Sequence, residues 1–334
     1  MVSKRSIAAV ILLLAAAAAG CGESTVKRSV DARTEVLRFF PVDAPVVGLL
    51  EPQPTDEVVN LDKAAGGVPI WAELRSAALG PLYAAGLGLA DLRRLVRPQE
   101  QIEGLEAAAA GLGTPTASDL ADGRQLLVLA TDQAELLSRL MRDGAQSGRL
   151  RPAGRIDKAV LYRNPVASYA VRDGVLVSAG SNAEVRTAIK RRDGDSDLQL
   201  DEDVVRSLFN DLGEQGPLLV YANLDAVREA DLGLRALGRV APWTGMLVET
   251  AATARAVGDS VRIEDFSKAT GEGFGSMDLP LGTTPSKFEI NATVAASLIP
   301  FPGPIRMLLA GLGQVKGEAT ATSDEVRLQL RTVP

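Results

Sequence analysis

The acidic run Asp193-Gly-Asp195-Ser-Asp197-Leu-Gln-Leu-Asp201-Glu-Asp203 carries the residue types that hold a hard cation. Aspartates at alternate positions, with another at the ninth, match part of the calcium loop of an EF-hand. That loop needs glycine at its sixth position for a sharp turn and a bidentate glutamate at its twelfth. Here those positions hold Leu198 and Val204. Asp193, Asp195, Asp197 and Asp201 are therefore an incomplete metal set. A solvated turn leading into an acidic helix start accounts for the same residues, because the helix dipole favours carboxylates there. The expectation is no metal and no cofactor.

Leu176-Val-Ser178-Ala-Gly180 has the outline of a nucleophile elbow without its first glycine. Such a serine needs a base, and the chain contains no histidine. The single cysteine, Cys21, lies near the N-terminus. Ser-His-Asp and Cys-His mechanisms are thus excluded, as are histidine-ligated zinc, copper and iron sites. Ser24-Thr-Val-Lys27 has Ser-x-x-Lys spacing but lies in a small, polar stretch. Gly271-Glu-Gly273-Phe-Gly275-Ser matches neither a phosphate loop nor a dinucleotide fingerprint. The chain is expected not to be an enzyme.

Cys21 carries the clearest signal. Lys4-Arg5 is followed by the apolar run Ser6 to Ala19 and then by Gly20-Cys21. The run is shorter than the ~20 residues that cross a bilayer, so it reads as a cleavable signal. Ala18-Ala19-Gly20-Cys21 resembles a bacterial lipoprotein box, with alanine where leucine is usual. Cleavage before Cys21 would place a diacylglycerol on its thiol, and a further acyl chain such as palmitate on the new amino group. Two or more chains make a stable anchor, since each buried methylene adds about 0.8 kcal/mol. The expected location is the outer face of the cytoplasmic membrane, or an outer membrane where the host has one. Residues 1–20 are the signal and 21–33 a polar tether.

The rest has the composition of a folded protein, 46% apolar and 23% charged. Its net charge is -6, and losing Lys4 and Arg5 with the signal makes it -8. That balance disfavours nucleic acid and anionic headgroups as partners.

The elements alternate between strand and helix patterns. Val46–Glu51 is an apolar strand closed by Pro52 and Pro54. Pro69–Leu79 has helical spacing, and residues 82–112 are rich in alanine and leucine and read as mostly helical. Arg124–Thr131 reads as a buried strand, and Asp132 with Glu135 as a capping pair for a helix over Gln133–Arg142. Strands are expected at Lys158–Arg163, Ser168–Arg172 and Gly174–Ala179, with Asp173-Gly174 as a hairpin turn. Asn182 would cap a helix over Ala183–Lys190. Asp201 starts a helix to Leu212, and Leu218–Ala222 is a strand. Asp225 caps a helix to about Val240. Gly245–Ala256 and Ser260–Lys268 pair around Gly258-Asp259. Phe288–Ala296 is a further strand and Ile305–Leu312 a helix. Val315–Thr322 pairs with Glu325–Thr332.

Hairpins favour antiparallel sheet. The fold class is α+β, antiparallel sheets with helices packed against them. Proline-led strands near residues 46 and 218 suggest two related halves, 34–200 and 201–334. Phe40-Pro-Val-Asp-Ala-Pro-Val-Val-Gly, Leu126–Leu140, Tyr169–Asn182 and Leu218-Leu-Val-Tyr-Ala-Asn-Leu are similar to a bacterial family described only as domain of unknown function 3352. That resemblance implies an exported protein of mixed α/β structure and brings no catalytic residues. The expectation is a non-enzymatic envelope lipoprotein, held at the membrane through Cys21 and working by protein contacts or as a structural component. A carrier of lipid or another apolar ligand is the alternative.

Overall fold

Val46-Val-Gly-Leu-Leu50 follows Pro45 and forms strand β1 at the middle of a sheet. The computed structural model describes residues 36–50, 60, 63–64, 82–87, 91, 107–112, 125–131, 133–194, 196–212, 216, 218–230, 245–270, 286–291, 314–321 and 325–332. Along the chain come β2 (Ala107–Leu112), β3 (Gln125–Ala130), helix α1 (Ala134–Gln146), β4 (Arg151–Ile156), β5 (Ala159–Arg163), β6 (Ser168–Arg172) and β7 (Val175–Ala179). Helix α2 (Asn182–Asp193), a 3-10 turn (Ser196–Leu198), α3 (Glu202–Asp211), β8 (Leu218–Asn223) and α4 (Leu224–Ala230) follow. The chain continues with β9 (Leu247–Val257), β10 (Ser260–Ala269), β11 (Ser286–Asn291), β12 (Gln314–Ala321) and β13 (Glu325–Thr332). The fold is α+β and the sheet is antiparallel at each of its ladders.

All 13 strands belong to one sheet, in the order β11-β12-β13-β10-β9-β8-β1-β2-β3-β7-β6-β5-β4. Outward from the β1–β8 pair, both wings follow one rule. Three strands run in sequence order, then the remaining strands return from last to first. The wing that starts at β1 has one strand more.

The two faces are buried by different elements. Val47, Val128, Val177, Ala170, Tyr221, Ala251 and Phe266 share one face, where they meet Val185 and Ile189 of α2, Val205 and Leu208 of α3, and Phe40 of the N-terminal segment. Leu129, Leu176 and Tyr169 point to the opposite face, which α1 and α4 cover. Helix α1 presents Leu136, Leu137 and Met141, a spacing that makes one apolar stripe.

Local chemistry explains most boundaries. Ser181 accepts from the Glu184 amide while the Glu184 carboxylate accepts from the Ser181 amide, a capping box that starts α2. The expected cap, Asn182, is the first helical residue instead. Asp201 caps α3 as expected, accepting from the amides of Asp203 and Val204. Helix α1 runs to Gln146, beyond the expected Arg142, and its N-cap is Gln133, with no side-chain cap bond. Asn223 accepts from the Ala226 amide and opens α4, so Asp225 lies inside the helix it was expected to cap.

Two strands differ from expectation. Ala107–Leu112 forms β2, not helix, because β1 and β3 flank it and satisfy its backbone on both sides; tertiary pairing overrides alanine's helix preference. Strand β4 lacks an apolar alternation, being an exposed edge with Pro152 and a bulge between Pro152 and Gly154. Proline, charge and a bulge keep such an edge from pairing with another chain. The expected helices over Pro69–Leu79 and Ile305–Leu312 lie outside the described residues.

At the β6–β7 turn, Asp173 and Gly174 both have positive φ, 49° and 82°. A Cβ on Gly174 would stand 2.3 Å from the Thr131 carbonyl oxygen. Gly174→Ala is expected to cost about 1–3 kcal/mol in urea unfolding. Gly245→Ala, with open space around its site, should stay within about 0.5 kcal/mol of the parent. Equal midpoints for the two variants would contradict this account of the turn.

Candidate functional site

The acidic run does not converge. Asp193 ends α2 and pairs with Arg172 and, at 2.9 Å, with Arg192. Burial pushes its pKa up, but the two guanidinium groups outweigh that and hold it below the usual carboxylate range. Asp197 is exposed in the 3-10 turn and Asp201 is the α3 cap. Asp195 lies outside the described residues, as do Cys21, the Ser24–Lys27 stretch and the Gly271–Ser276 loop. Among the described residues no group of three metal-ligating side chains comes together. Ser178 is buried inside β7, opposite Tyr169, and not on a strand-to-helix elbow.

The structure concentrates polar chemistry elsewhere, in the β9–β10 hairpin. Thr250 and Ser267 are directly opposed and Asp265 is two residues along on the same face, opposite Ala252. The Thr250 hydroxyl lies 2.6 Å from Asp265 Oδ1, and the Ser267 hydroxyl lies 2.9 Å from Thr250 Oγ1 and 3.1 Å from Asp265 Oδ2. All three are buried, Asp265 to 5% relative exposure. Its neighbour on the β13 side is Leu328, also buried. Burial raises the Asp265 pKa to about 7, against the opposing pull of the two hydroxyls. Such a carboxyl can give or take a hydrogen bond at neutral pH, which suits it to hold a polar group inside an apolar layer.

The other face of the same hairpin carries charge. Tyr221 lies 3.4 Å from Glu249. Burial and the neighbouring Glu249 push the phenol up, and burial raises Glu249 while Lys268 and Tyr221 oppose the rise. Lys268 reaches Asp211, at the end of α3, at 3.8 Å. Arg255 and Arg262 face each other across the ladder and share the buried Glu264, at 3.4 and 2.9 Å. Arg327 stacks 4.6 Å from the Phe266 ring and donates to the Asp211 carbonyl at 2.7 Å. A cation at a helix C-terminus and over a ring is doubly favoured. These contacts tie α3 to the sheet. A hollow of about 10 Å³, near the size of one water, lies far from the hairpin, between Phe39, Arg172, Ile189 and Arg192.

Sequence reasoning placed both strands of this hairpin and missed the cluster. The signal was present: Thr250 and Asp265-Phe-Ser267 put polar groups at inward positions of strands otherwise filled by Ala, Ile and Val.

Asp265 couples folding to pH. An unfolded aspartate titrates near 3.9, so between about pH 4 and 7 the folded chain binds more proton than the unfolded one. The contribution is fully present below about pH 4 and is lost as pH rises through about 7. Urea midpoints should therefore fall between pH 5 and 8, and Asp265→Asn should remove most of that slope while leaving the pH 5 midpoint nearly unchanged. An unaltered slope in the variant would assign the titration to another group.

No family model matches the chain, and no curated protein matches it. Among solved structures, crystal form III of TP0453 has a TM-score of 0.43 and 7% identity, covering 88% of this chain and 92% of that one. Crystal form I of TP0453 has a TM-score of 0.41 and 9% identity, covering 87% and 91%.

Proposed function

We propose that this chain is a lipid-anchored envelope protein, attached through Cys21, whose folded part works by protein contacts or as a structural component and not by catalysis. One observation carries the reading of the folded part: among the described residues, Asp265, Glu249, Tyr221, Asp193 and Asp201 are engaged in holding the sheet and its helices together. Asp265 is sealed within β9 and β10 by two hydroxyls. Glu249 and Tyr221 bond each other. Asp193 and Asp201 end one helix and start the next. Such bonding supports a rigid framework. The anchor reading is supported by the basic start, the short apolar run and the small residues before Cys21.

A second reading has a specific observation behind it. The Asp265 cluster sits among Ala222, Ala252, Val326 and Leu328, all buried, and a polar cluster in an apolar layer could orient the polar end of a lipid.

Mass spectrometry of the protein extracted from its own membrane in mild detergent tests both. The expected result is a chain that begins at an acylated Cys21 and flies with no further lipid. A stoichiometric lipid released on denaturation would favour the carrier. An unmodified Cys21 with residues 1–20 still attached would sink the anchor, and Cys21→Ser is expected to give that product.

A further inference from the structure

The acidic balance of the whole chain conceals a segregated surface. From the start of α1 to the end of β5, residues 134–163 hold seven cations, Arg139 to Arg163, and only three acids, Glu135, Asp143 and Asp157. All seven cations are exposed. Among the described residues none of them is paired with a carboxylate.

The sharpest feature is a like-charge pair. Arg151 of β4 stands directly opposite Arg163 of β5, an arrangement that costs stability on a sheet. The other wing contains the same motif, Arg255 opposite Arg262, and supplies its own counter-charge in Glu264. At Arg151 and Arg163, among the described residues, there is no such carboxylate, which leaves the pair open to an anionic partner.

Apolar side chains share this end. Asn164 Nδ2 donates to the Ala84 carbonyl at 2.8 Å, and its Oδ1 accepts from the Val166 amide at 2.9 Å. One side chain thus ties residues 82–87 to the β5–β6 turn. It brings together Tyr83, 42% exposed, and Val166, 63% exposed. Arg149 donates to the Gly86 carbonyl at 3.4 Å and completes the rim. Arginine beside exposed tyrosine and valine is the composition of a surface that enters the headgroup layer.

The N-terminal segment lies towards the other end of β6, with Phe39 beside Arg172, Ile189 and Arg192. Cys21 precedes Val36 by a stretch that can span at most about 50 Å, so an anchored Cys21 keeps the β4–β5 end within reach of the bilayer.

We propose that the β4–β5 end, with Arg149, Arg151 and Arg163 around Tyr83 and Val166, docks on an anionic phospholipid surface. The cations meet headgroup phosphates and the two apolar side chains enter the interface. The occupant follows from charge complementarity and from the reach of the anchored terminus; in that second respect it rests on the lipid-anchor reading. It also fixes which side of the domain faces away, namely the β11 side of the sheet.

The test uses the full chain in a Cys21→Ser background, so that an introduced cysteine is the sole thiol. A polarity-sensitive probe is placed at Val166→Cys or, as the control, at Leu198→Cys, exposed in the 3-10 turn. Vesicles are phosphatidylcholine alone, or with a third of phosphatidylglycerol. The leader is common to both probes and cannot distinguish them. The expected result is that the Val166 probe becomes immersed only with phosphatidylglycerol, while the Leu198 probe stays in water. Arg149→Gln, Arg151→Gln and Arg163→Gln together should weaken that immersion roughly 100-fold in lipid concentration, from the contribution of each surface cation, with circular dichroism unchanged. A Val166 probe that stays aqueous, or enters both vesicle types equally, overturns the proposal. Binding to an anionic polysaccharide without immersion overturns it too and assigns the cations to a soluble polyanion. Acylation of Cys21, read from the wild-type mass, fails or holds independently of these outcomes.

Discussion

The ladder between β1 and β8 is the seam on which the rest of the structure depends. It runs in register from Val46 opposite Ala222 to Leu50 opposite Leu218 and is closed at one end by the Asn223 amide on the Pro45 carbonyl. Each wing of the sheet is complete outside it. Without it, two apolar edges would open in the centre of the molecule, and edges of that kind invite pairing with other chains. Val47 and Tyr221 stand opposite each other there, both buried in the core that α2 and α3 cover. The seam is therefore a packing interface as well as a hydrogen-bonded one. It makes one core of two strand sets that share the same pairing rule.

A sheet buried on both faces gives a polar side chain no easy exit to water, which determines where charge can go. An unsatisfied buried polar group costs on the order of 1–3 kcal/mol. In β9 and β10 the inward polar residues meet that constraint in two ways. Asp265 takes two hydroxyls as partners and a raised pKa, which keeps it near neutral. Glu264 takes two guanidinium groups as partners. Adjacent residues on opposite faces thus solve the same problem by opposite means, protonation on one side and pairing on the other.

The legible parts of the fold were those determined by local chemistry. Asp173-Gly174 named its hairpin because few residues tolerate the positive φ at both turn positions. Asp201 named the start of α3 because its carboxylate accepts from the amides two and three residues on. Ser181 and Asn182 are equally good caps by type, and only the position of Glu184, three residues after Ser181, decides between them. The alanine run of β2 was illegible, since its strand state is dictated by β1 and β3, distant in sequence. The Asp265 cluster was only half legible: its polar residues stand at inward strand positions, but that Thr250 and Asp265 meet is decided across a ladder. The acidic run is the converse case: its spacing resembles part of a ligand set, while Asp193 ends a helix, Asp197 lies in a turn and Asp201 is a cap.

Charge shows why averages over a chain mislead. A net charge of -6 argues against anionic partners only when charge is mixed over the surface. Here the acids cluster from Asp193 to Asp203, beside the arginines of α2 and α3, and many are neutralised there. The β4–β5 end keeps its cations unpaired. A long-range field would feel the whole molecule, but screening limits its reach to about 8–10 Å at physiological salt. Among the described residues, those beside Arg151 and Arg163 come from β4, β5, the α1–β4 connection, the β5–β6 turn and residues 82–87. A partner that touches only this end meets, among the described residues, unpaired cations.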